Sequence, residues 1–286
     1  MSTKEILIKR EKRLTFGNSI TYLVLIFFAI IAMYPLIWMI FNSLKTNQDF
    51  FANQWIPPFK QLYFQNYITA WIEGNLGRYM LNSIIVTASS IIGLIFVASM
   101  ISYAFARLKF KGNKFLFYFF LMGLMFPSQV IVIPLFLLIS KLGWINSYQA
   151  LIFPYIGLNL PFAIFLLRAF FLGVPSEIAD AAKVDGCNNF DIYWRIMLPI
   201  IKPGIAVVAI FSGVEMWNEF LLSLIFMQKE NMKTIPAGLM SFFGYHTIEY
   251  TILFAGLVIV IMPLIILIIL FQNSLVKGLT AGSLKM

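Results

Sequence analysis

A chain of 286 residues that is 60% hydrophobic and only 12% charged, with a mean hydropathy of +0.87, is not a soluble domain built around one core. Its formal charge of +9 could suggest a nucleic-acid partner, but the basic residues border apolar runs and form no surface stripe. The single cysteine excludes an internal disulfide and a cysteine-rich metal site. The composition therefore predicts an all-α integral membrane protein without a nucleic-acid partner.

Six apolar segments predict six transmembrane helices. The uncharged run from Leu14 to Leu44 is too long for a signal-peptide core, so the first span is expected to stay uncleaved behind an N-terminal segment at 1–18. Outside the spans, the sequence predicts two connections at 45–78 and 229–249, a loop at 173–202 and a C-terminal tail at 273–286. The spans are predicted at about 20–42, 80–105, 115–139, 147–168, 204–228 and 250–272.

The distribution of basic residues predicts the orientation. Most of the 21 lysines and arginines fall on one side of the spans, in the N-terminal segment, in Arg107–Lys114 and in the loop 173–202. Positively charged loops face the cytoplasm, so both termini and that loop are expected there. The aromatic-rich connection 45–78 is then external, as interfacial helices or as a docking surface for an extracytoplasmic binding protein. The single histidine, His246, is expected to be an exposed residue of the other external connection.

The densest charge between apolar segments lies at 175–199, which we call the bracket. Its first arm is a predicted short helix in which Ser176 is the N-cap, Glu177 meets the positive end of the helix dipole, and Gly186 provides a left-handed stop. One face would be small enough for another protein to approach closely. That face carries Ile178, Ala181 and Ala182.

The second arm of the bracket is predicted to begin at Asn188 as N-cap and to end at Leu198–Pro199. Cys187 is then a small residue in the turn between the arms. An aromatic stripe at helical spacing is expected to lie against the rest of the protein. It consists of Phe190, Tyr193, Trp194 and Met197.

The bracket also resembles the cytoplasmic "EAA" loop of permease subunits of binding-protein-dependent ABC importers, most closely the sugar branch. Asp180-Ala181-Ala182, Gly186, Ile196 and Leu198-Pro199 carry the resemblance, with Asp180 where the motif usually has glutamate. Other phrases resemble sugar permeases as well: Ser102–Gly112, with Ser102 in place of the usual alanine, Phe126–Leu135, Trp217–Phe220 and the Gly278–Gly282 ending. The chain is thus similar to the smaller permease of maltose-type systems.

The resemblance implies the fold of a type I ABC importer permease with a cytoplasmic coupling helix, in the plasma membrane of a bacterium or archaeon. It implies three partners besides the lipid: a second permease, a dimer of ATP-binding subunits and an extracytoplasmic sugar-binding protein. The residues implied in ATPase coupling are Glu177, Asp180, Ala181, Ala182, Asp185, Gly186, Ile196, Leu198 and Pro199. The chain has no phosphate-binding loop, so ATP and magnesium are expected on the partner, with no cofactor and no enzymatic activity in this chain.

Polar residues inside the predicted spans indicate a translocation path or a permease–permease contact. Glu215 and Glu219 lie one turn apart, and each ionised carboxylate near mid-membrane costs about 2.5–3.5 kcal/mol. They should therefore face protein or water, although carboxylates close to the outer interface would simply be solvated. The same assignment covers Trp217, Asn218, Ser128 and Gln129. Prolines in four spans, Pro127 among them, are expected to bend the helices.

Two other functions remain open from the residues. A permease of the same class for a polyamine or phosphonate would share the loop motif. An autonomous channel or ion-coupled carrier would use Glu215 and Glu219 as a proton or cation site, and it would have no need of a docking bracket.

Overall fold

The computed structural model describes residues 16–58, 61–242 and 249–281, which are mostly helical and contain no β-strand. The predicted helical class is therefore confirmed for this part of the chain. Residues 1–15, His246 and 282–286 lie outside the described residues, so the predictions for most of the N-terminal segment and for the end of the tail concern residues that are not described.

Fourteen α-helices follow one another along the described residues, with short 3₁₀ segments between several of them. They are α1 Phe16–Ser43, α2 Asn47–Ala52, α3 Gln65–Ile72, α4 Leu76–Arg107, α5 Asn113–Met122, α6 Val132–Lys141, α7 Gln149–Gly173, α8 Ser176–Val184, α9 Asn189–Asp191, α10 Leu198–Ile200, α11 Lys202–Asn218, α12 Leu221–Phe226, α13 Ile235–Leu239 and α14 Tyr250–Ala281.

Three described helices are long and apolar enough to cross a membrane: Ile20–Ser43, Leu76–Arg107 and Gln149–Gly173. Two sharply bent pairs, Asn113–Met125 with Ser128–Lys141 and Asn189–Ile200 with Lys202–Asn218, raise the number to as many as five. In α14, the apolar stretch found is the shorter Tyr250–Ile266. Length and composition thus give three to five candidate spans.

The predicted span at 115–139 is not one helix. Its two halves meet at an angle of 92° around Phe126 and Pro127. Proline lacks a backbone N–H and drives the preceding residue out of the helical region, and Phe126 is indeed extended at φ −90°, ψ 119°. The expected bending therefore holds at Pro127, whereas the helices continue through the prolines Pro35, Pro154, Pro161 and Pro263.

The predicted span at 204–228 is also discontinuous. α11 ends at Asn218, Glu219 is extended at φ −67°, ψ 119°, and α12 starts at Leu221. Neither proline nor glycine stands at this break. The Glu219 side chain instead accepts hydrogen bonds from backbone N–H groups of the next helix, which stabilises the interruption.

The packing of α4 against α7 forms the centre of the larger core. The fully buried side chains Leu94 and Ala98 on α4 and Leu151, Ile164 and Leu167 on α7 belong to one apolar cluster. A smaller cluster around Leu76, Tyr79, Trp217, Ile235 and Ala255 joins the start of α4 to α13 and α14. These two clusters set the positions of the bracket and of the α11–α12 break.

The connection 45–78 is folded onto the helix ends by buried polar contacts. Lys45 is 3% exposed, and its Nζ donates to Asn42 Oδ1 at 2.9 Å and to the Asn53 carbonyl at 2.8 Å. Burial lowers the pKa of Lys45, against the attraction of Asp49. The ring of Phe50 is buried among aromatic neighbours that include Trp38 and Phe254. The connection therefore contains helices, as expected.

Candidate functional site

The first arm of the bracket is α8. Pro175 occupies the N-cap position with no side-chain hydrogen bond, and Ser176 is the first helical residue, so the expectation that Ser176 caps the helix is wrong. At φ −56°, ψ 139°, Pro175 has the non-helical conformation typical of an N-cap residue. Glu177 lies in the first turn, where the helix dipole favours a carboxylate.

The turn between the arms closes the first helix as predicted. Gly186 has φ +84°, the left-handed conformation that glycine adopts most readily. Its N–H donates to the Lys183 carbonyl at 3.0 Å, and the N–H of Cys187 donates to the Ala182 carbonyl at 2.9 Å. This pair of bonds is the Schellman motif, which satisfies the last helical carbonyls and fixes the direction of the exit.

Some small residues of the first arm are buried in the core, and others are exposed. Ala179 and Ala182 are 9% and 5% exposed and belong to the core, where α8 contacts the second arm. Ala181 is exposed, as are Asp180 and Lys183, whose ion pair at 3.2 Å is a weak surface interaction. The expectation that both Ala181 and Ala182 lie free is therefore wrong for Ala182, because its small side chain lets the two arms approach each other.

The second arm begins as predicted, but it continues past its expected end. The Oδ1 atom of Asn188 accepts N–H bonds from Phe190 and Asp191, both at 2.9 Å. A π-helical stretch, Ile192–Met197, then leads into α10, which contains Pro199. Leu198–Pro199 therefore does not end the helix, since Pro199 stands in the first turn of α10. The bend of 72° into α11 follows at Ile201.

The aromatic stripe of the second arm is also divided. Tyr193 and Met197 are buried as expected. Phe190 and Trp194 are 64% and 50% exposed, and their rings stack at 6.4 Å with an interplanar angle of 6°. Val184, at the end of the first arm, is 89% exposed. Exposed apolar side chains grouped in this way are typical of a surface that binds another protein.

The remaining predicted coupling residues of the bracket differ in exposure. Asp185 is the exposed C-cap of α8, and Pro199 is exposed at the other end of the bracket. Ile196 and Leu198 are half-buried and pack against the core. The bracket thus brings the predicted residues together, and it adds Val184, Phe190 and Trp194 to them.

The carboxylate of Glu219 is held at the α11–α12 break. Its Oε1 accepts the N–H of Leu222 at 2.8 Å, and its Oε2 accepts the N–H of Ser223 at 3.2 Å and the hydroxyl of Tyr155 at 2.8 Å. Two backbone groups and one side chain on α7 therefore satisfy this charge inside the protein. Glu215, one turn earlier, is exposed on α11 and makes no hydrogen bond or ion pair within the described residues.

The other residues assigned to the path have different environments. Trp217 is 7% exposed and belongs to the smaller core cluster. Asn218 is exposed and donates to the Val214 carbonyl at 2.8 Å. Ser128 and Gln129 are exposed beside Pro127, and within the described part of the chain their side chains make no hydrogen bond. Trp217 is therefore a packing residue, whereas the other three offer polar groups at a surface.

No group of three potential metal ligands occurs among the described residues. The features that the described chain does offer are the exposed surface of the bracket and the two carboxylates at the end of α11.

Residues 96–281 match the model of a family described as the inner membrane component of binding-protein-dependent transport systems. Among curated proteins, the chain is 36% identical over 262 residues to the arabinooligosaccharides transport system permease protein AraQ of Halalkalibacterium halodurans, covering 91% of this chain and 93% of AraQ. It is 35% identical over 264 residues to the trehalose/maltose transport system permease protein MalG of Thermococcus litoralis, covering 91% and 94%.

A third relative is the diacetylchitobiose uptake system permease protein NgcG of Streptomyces coelicolor, 30% identical over 269 residues, with 93% of this chain and 89% of NgcG covered. Among solved structures, the chain matches one of a bacterial ABC transporter that imports the acidic polysaccharide alginate. The TM-score is 0.79 at 20% identity, over 93% of this chain and 98% of that chain, which shows a shared fold.

Proposed function

This chain belongs to the family of inner membrane components of binding-protein-dependent transport systems, and on that premise we propose that it is a permease subunit of an ATP-driven importer of sugars or oligosaccharides. The names of relatives at 30–36% identity, which concern arabinooligosaccharides, trehalose or maltose, and diacetylchitobiose, support this solute class. The alternative is a permease for a polyamine or phosphonate, and an uptake assay distinguishes these solutes from sugars.

The observation that carries the proposal is the geometry of the bracket. Its two short arms are fixed relative to each other by the Schellman turn, by the Asn188 cap and by the buried alanines Ala179 and Ala182. It presents an apolar surface bordered by charges, at Val184, Phe190 and Trp194. We propose that a separate ATPase dimer, which would hold ATP and magnesium, binds this surface and moves the bracket during its cycle.

The proposed topology has six membrane crossings with both termini and the bracket in the cytoplasm. The distribution of basic residues supports that orientation, and the bent pair Asn113–Met125 with Ser128–Lys141, α11 with α12, and α14 would supply the crossings beyond the three long helices. A second permease would complete the path, and an external binding protein would deliver the solute. The exposed carboxylate of Glu215 on α11 fits the contact between the two permeases or the wall of the path.

The geometry favours a subunit of this kind over an ion-coupled carrier. A carrier would need Glu219 to bind and release a proton or cation, but both of its oxygens already accept hydrogen bonds from α7 and α12. Glu219 is better suited to hold the α11–α12 break, and this leaves Glu215 as the one exposed carboxylate of the pair.

The test is uptake by the assembled complex. The tagged chain is purified with the subunits that accompany it and reconstituted with its binding protein in liposomes. Radiolabelled maltose, trehalose, arabinotriose, diacetylchitobiose and spermidine are then offered, with ATP or a non-hydrolysable analogue inside. We expect ATP-dependent uptake of at least one sugar and none of spermidine. Uptake of spermidine alone, or ATP-independent uptake by the chain by itself, would contradict the proposal.

A further inference from the structure

One stripe of α4 binds both the segment that leads into the bracket and the second arm of the bracket. Ser99, Tyr103 and Arg107 are spaced four residues apart, so they lie on the same side of the helix, and we call them the α4 row. In the sequence, the last two belong to the Ser102–Gly112 phrase that resembles sugar permeases, and their residue types alone indicate only a helix end with a positive charge. In the structure, each member of the row bonds to the bracket or to the residues just before it.

Arg107, the last residue of the α4 row, binds the segment that leads from α7 into the bracket. The Nη2 atom of Arg107 donates to the Phe171 carbonyl at 2.6 Å and also to the carbonyl of Val174, the residue before Pro175. These carbonyls belong to the last turn and the cap of α7, where the Phe171 carbonyl also accepts the N–H of Val174 at 3.3 Å. A single guanidinium therefore connects α4 to the point at which α7 passes into the first arm.

The other two members bind the second arm. The hydroxyl groups of Ser99 and Tyr193 are 2.8 Å apart and share a hydrogen bond. The Tyr103 hydroxyl donates to the carbonyl of Asn189, the first residue of that arm, at 3.2 Å. All three side chains are buried, at 1% exposed for Ser99, 7% for Tyr103 and 3% for Tyr193. The Ser99–Tyr193 bond is therefore shielded from water, and the Tyr103–Asn189 bond is partly shielded.

Ring packing gives the row stiffness as well as polar contacts. The Tyr103 ring lies edge-on to Phe171 at 5.6 Å and tilted against Tyr193 at 5.3 Å, so it contacts α7 and the second arm together. Beside it, Ser102 donates to the Ile164 carbonyl on α7 at 3.2 Å. The hydroxyl that replaces the usual alanine of the family phrase thus adds a further bond between α4 and α7.

We propose that the α4 row transmits movement of the bracket to α4, and that Tyr103 and Arg107 are positioning residues of the transport cycle. This inference rests on the proposed function, since it assumes that an ATPase moves the bracket. A hydrogen bond weakens steeply once its atoms separate by more than a few tenths of an ångström, so α4 follows the bracket or the row breaks. The row therefore connects the bracket to α4 through side chains, besides its covalent continuations into α7 and α11.

Two sets of variants, each with its own control, test the proposal in the reconstituted complex. Tyr103→Phe removes only the hydroxyl, and Tyr118→Phe does the same at an exposed ring of α5. Arg107→Gln removes the guanidinium, Arg107→Lys keeps a donor, and Lys111→Gln changes a nearby exposed charge. The measured quantity is the amount of sugar transported per ATP hydrolysed, with the radiolabelled sugar that gives the greatest wild-type uptake.

We expect Tyr103→Phe to lower the sugar:ATP ratio by about five-fold, the factor that corresponds to one hydrogen bond, while ATP hydrolysis continues. Arg107→Gln, which removes the bonds to the Phe171 and Val174 carbonyls, should lower the ratio by at least as much. Arg107→Lys should recover part of the ratio, and the control variants should match the wild type. A general folding defect would lower uptake and hydrolysis together and would not be rescued by lysine. An unchanged ratio in both Tyr103→Phe and Arg107→Gln overturns the proposal.

A second measurement separates this inference from the proposed function. Cys187, the only cysteine, lies half-buried in the turn of the bracket, so its reaction rate with a maleimide reports how firmly the purified chain holds the bracket. We expect the rate to rise about five-fold in Tyr103→Phe and Arg107→Gln and not in the controls. If the wild-type complex shows no ATP-driven uptake, the proposed function fails, and unchanged Cys187 rates would then overturn the positioning role independently.

Discussion

The hydroxyl of Tyr155 on α7 donates a 2.8 Å hydrogen bond to the carboxylate of Glu219, which lies between α11 and α12. The same carboxylate accepts hydrogen bonds from the N–H groups of Leu222 and Ser223, so it caps the start of α12 while it is bonded to α7 through Tyr155. The sequence suggests Glu219 as a residue of the translocation path. In the structure, Glu219 stabilises the break between α11 and α12 within the fifth predicted span.

Removing this carboxylate should destabilise the protein. We expect Glu219→Ala to lower the free energy of unfolding by about 2 kcal/mol, because the hydrogen bonds to two N–H groups of α12 and the partly buried hydrogen bond from Tyr155 are lost. Glu219→Gln should cost less, since its amide oxygen still accepts an N–H. Thermal unfolding in detergent measures the effect. Asn218→Ala is the control at the neighbouring exposed position, and a Glu219→Ala variant as stable as this control would refute the capping role.

The turn of the bracket can be tested by two equivalent glycines. Gly186 and Gly143 both have positive φ, +84° and +69°, and an added Cβ would meet no atom within 4 Å at either position. A Cβ at either position therefore introduces backbone strain without a clash of its own, and the strain is about 1–2 kcal/mol or more for a β-branched side chain such as valine. We expect Gly186→Val to abolish ATP-driven uptake and Gly143→Val to leave it nearly intact, with both variants inserted in the membrane. Equal uptake in the two variants would show that the shape of the turn is unimportant.

Close packing of α13 on α4 predicts a stability effect at Gly238. An added Cβ there would lie 2.2 Å from the Tyr79 ring, which is itself buried. We expect Gly238→Ala to destabilise the protein by about 1–3 kcal/mol, the range for overpacking a core. Gly157→Ala on α7 is the control, because its Cβ would meet nothing within 4 Å. In thermal unfolding, a Gly238→Ala variant that unfolds no earlier than Gly157→Ala would contradict this packing.

The acid sensitivity of the segment after α12 follows from Glu230. Burial opposes its ionisation, but hydrogen bonds from Lys233 at 2.6 Å and from Tyr79 outweigh it, so the pKa of Glu230 lies below its ordinary value of 4.5. A carboxyl with a lowered folded-state pKa stabilises the protein above its ordinary value, and this contribution is lost as pH falls through the folded-state value.

We therefore expect the wild type to lose more thermal stability than Glu230→Gln when the pH is lowered from about 5.5 to about 3.5. Glu73→Gln, which changes an exposed carboxylate that makes no contact with Lys233 within the described residues, should behave like the wild type. Identical acid dependence in the wild type and Glu230→Gln would show that the Glu230 contacts add nothing to stability.

Much of this architecture follows from local sequence signals. The apolar runs predict the long helices, and Gly186 and Asn188 predict the turn of the bracket because left-handed glycines and side-chain caps act within a few residues. The sharp bend at Pro127 is foreseeable for the same reason, since the missing N–H and the clash with Phe126 are local.

The remaining features depend on neighbours that are distant in sequence. The break at Glu219 needs Tyr155 and the N–H groups of α12, and the α4 row needs partners on α7 and the bracket. The exposure of Trp194 beside the buried Tyr193 likewise depends on how the second arm packs. The four-residue spacing of the α4 row is visible in the sequence, but nothing local assigns partners to it.

The central claim is that the bracket faces the cytoplasm, where an ATPase can bind it. Because Cys187 is the only cysteine and lies half-buried in the turn of the bracket, the natural sequence can be labelled directly. A membrane-impermeant maleimide is applied to spheroplasts before and after permeabilisation. We predict labelling of Cys187 only after permeabilisation. Equal labelling in intact spheroplasts would place the bracket outside the cell and contradict the account.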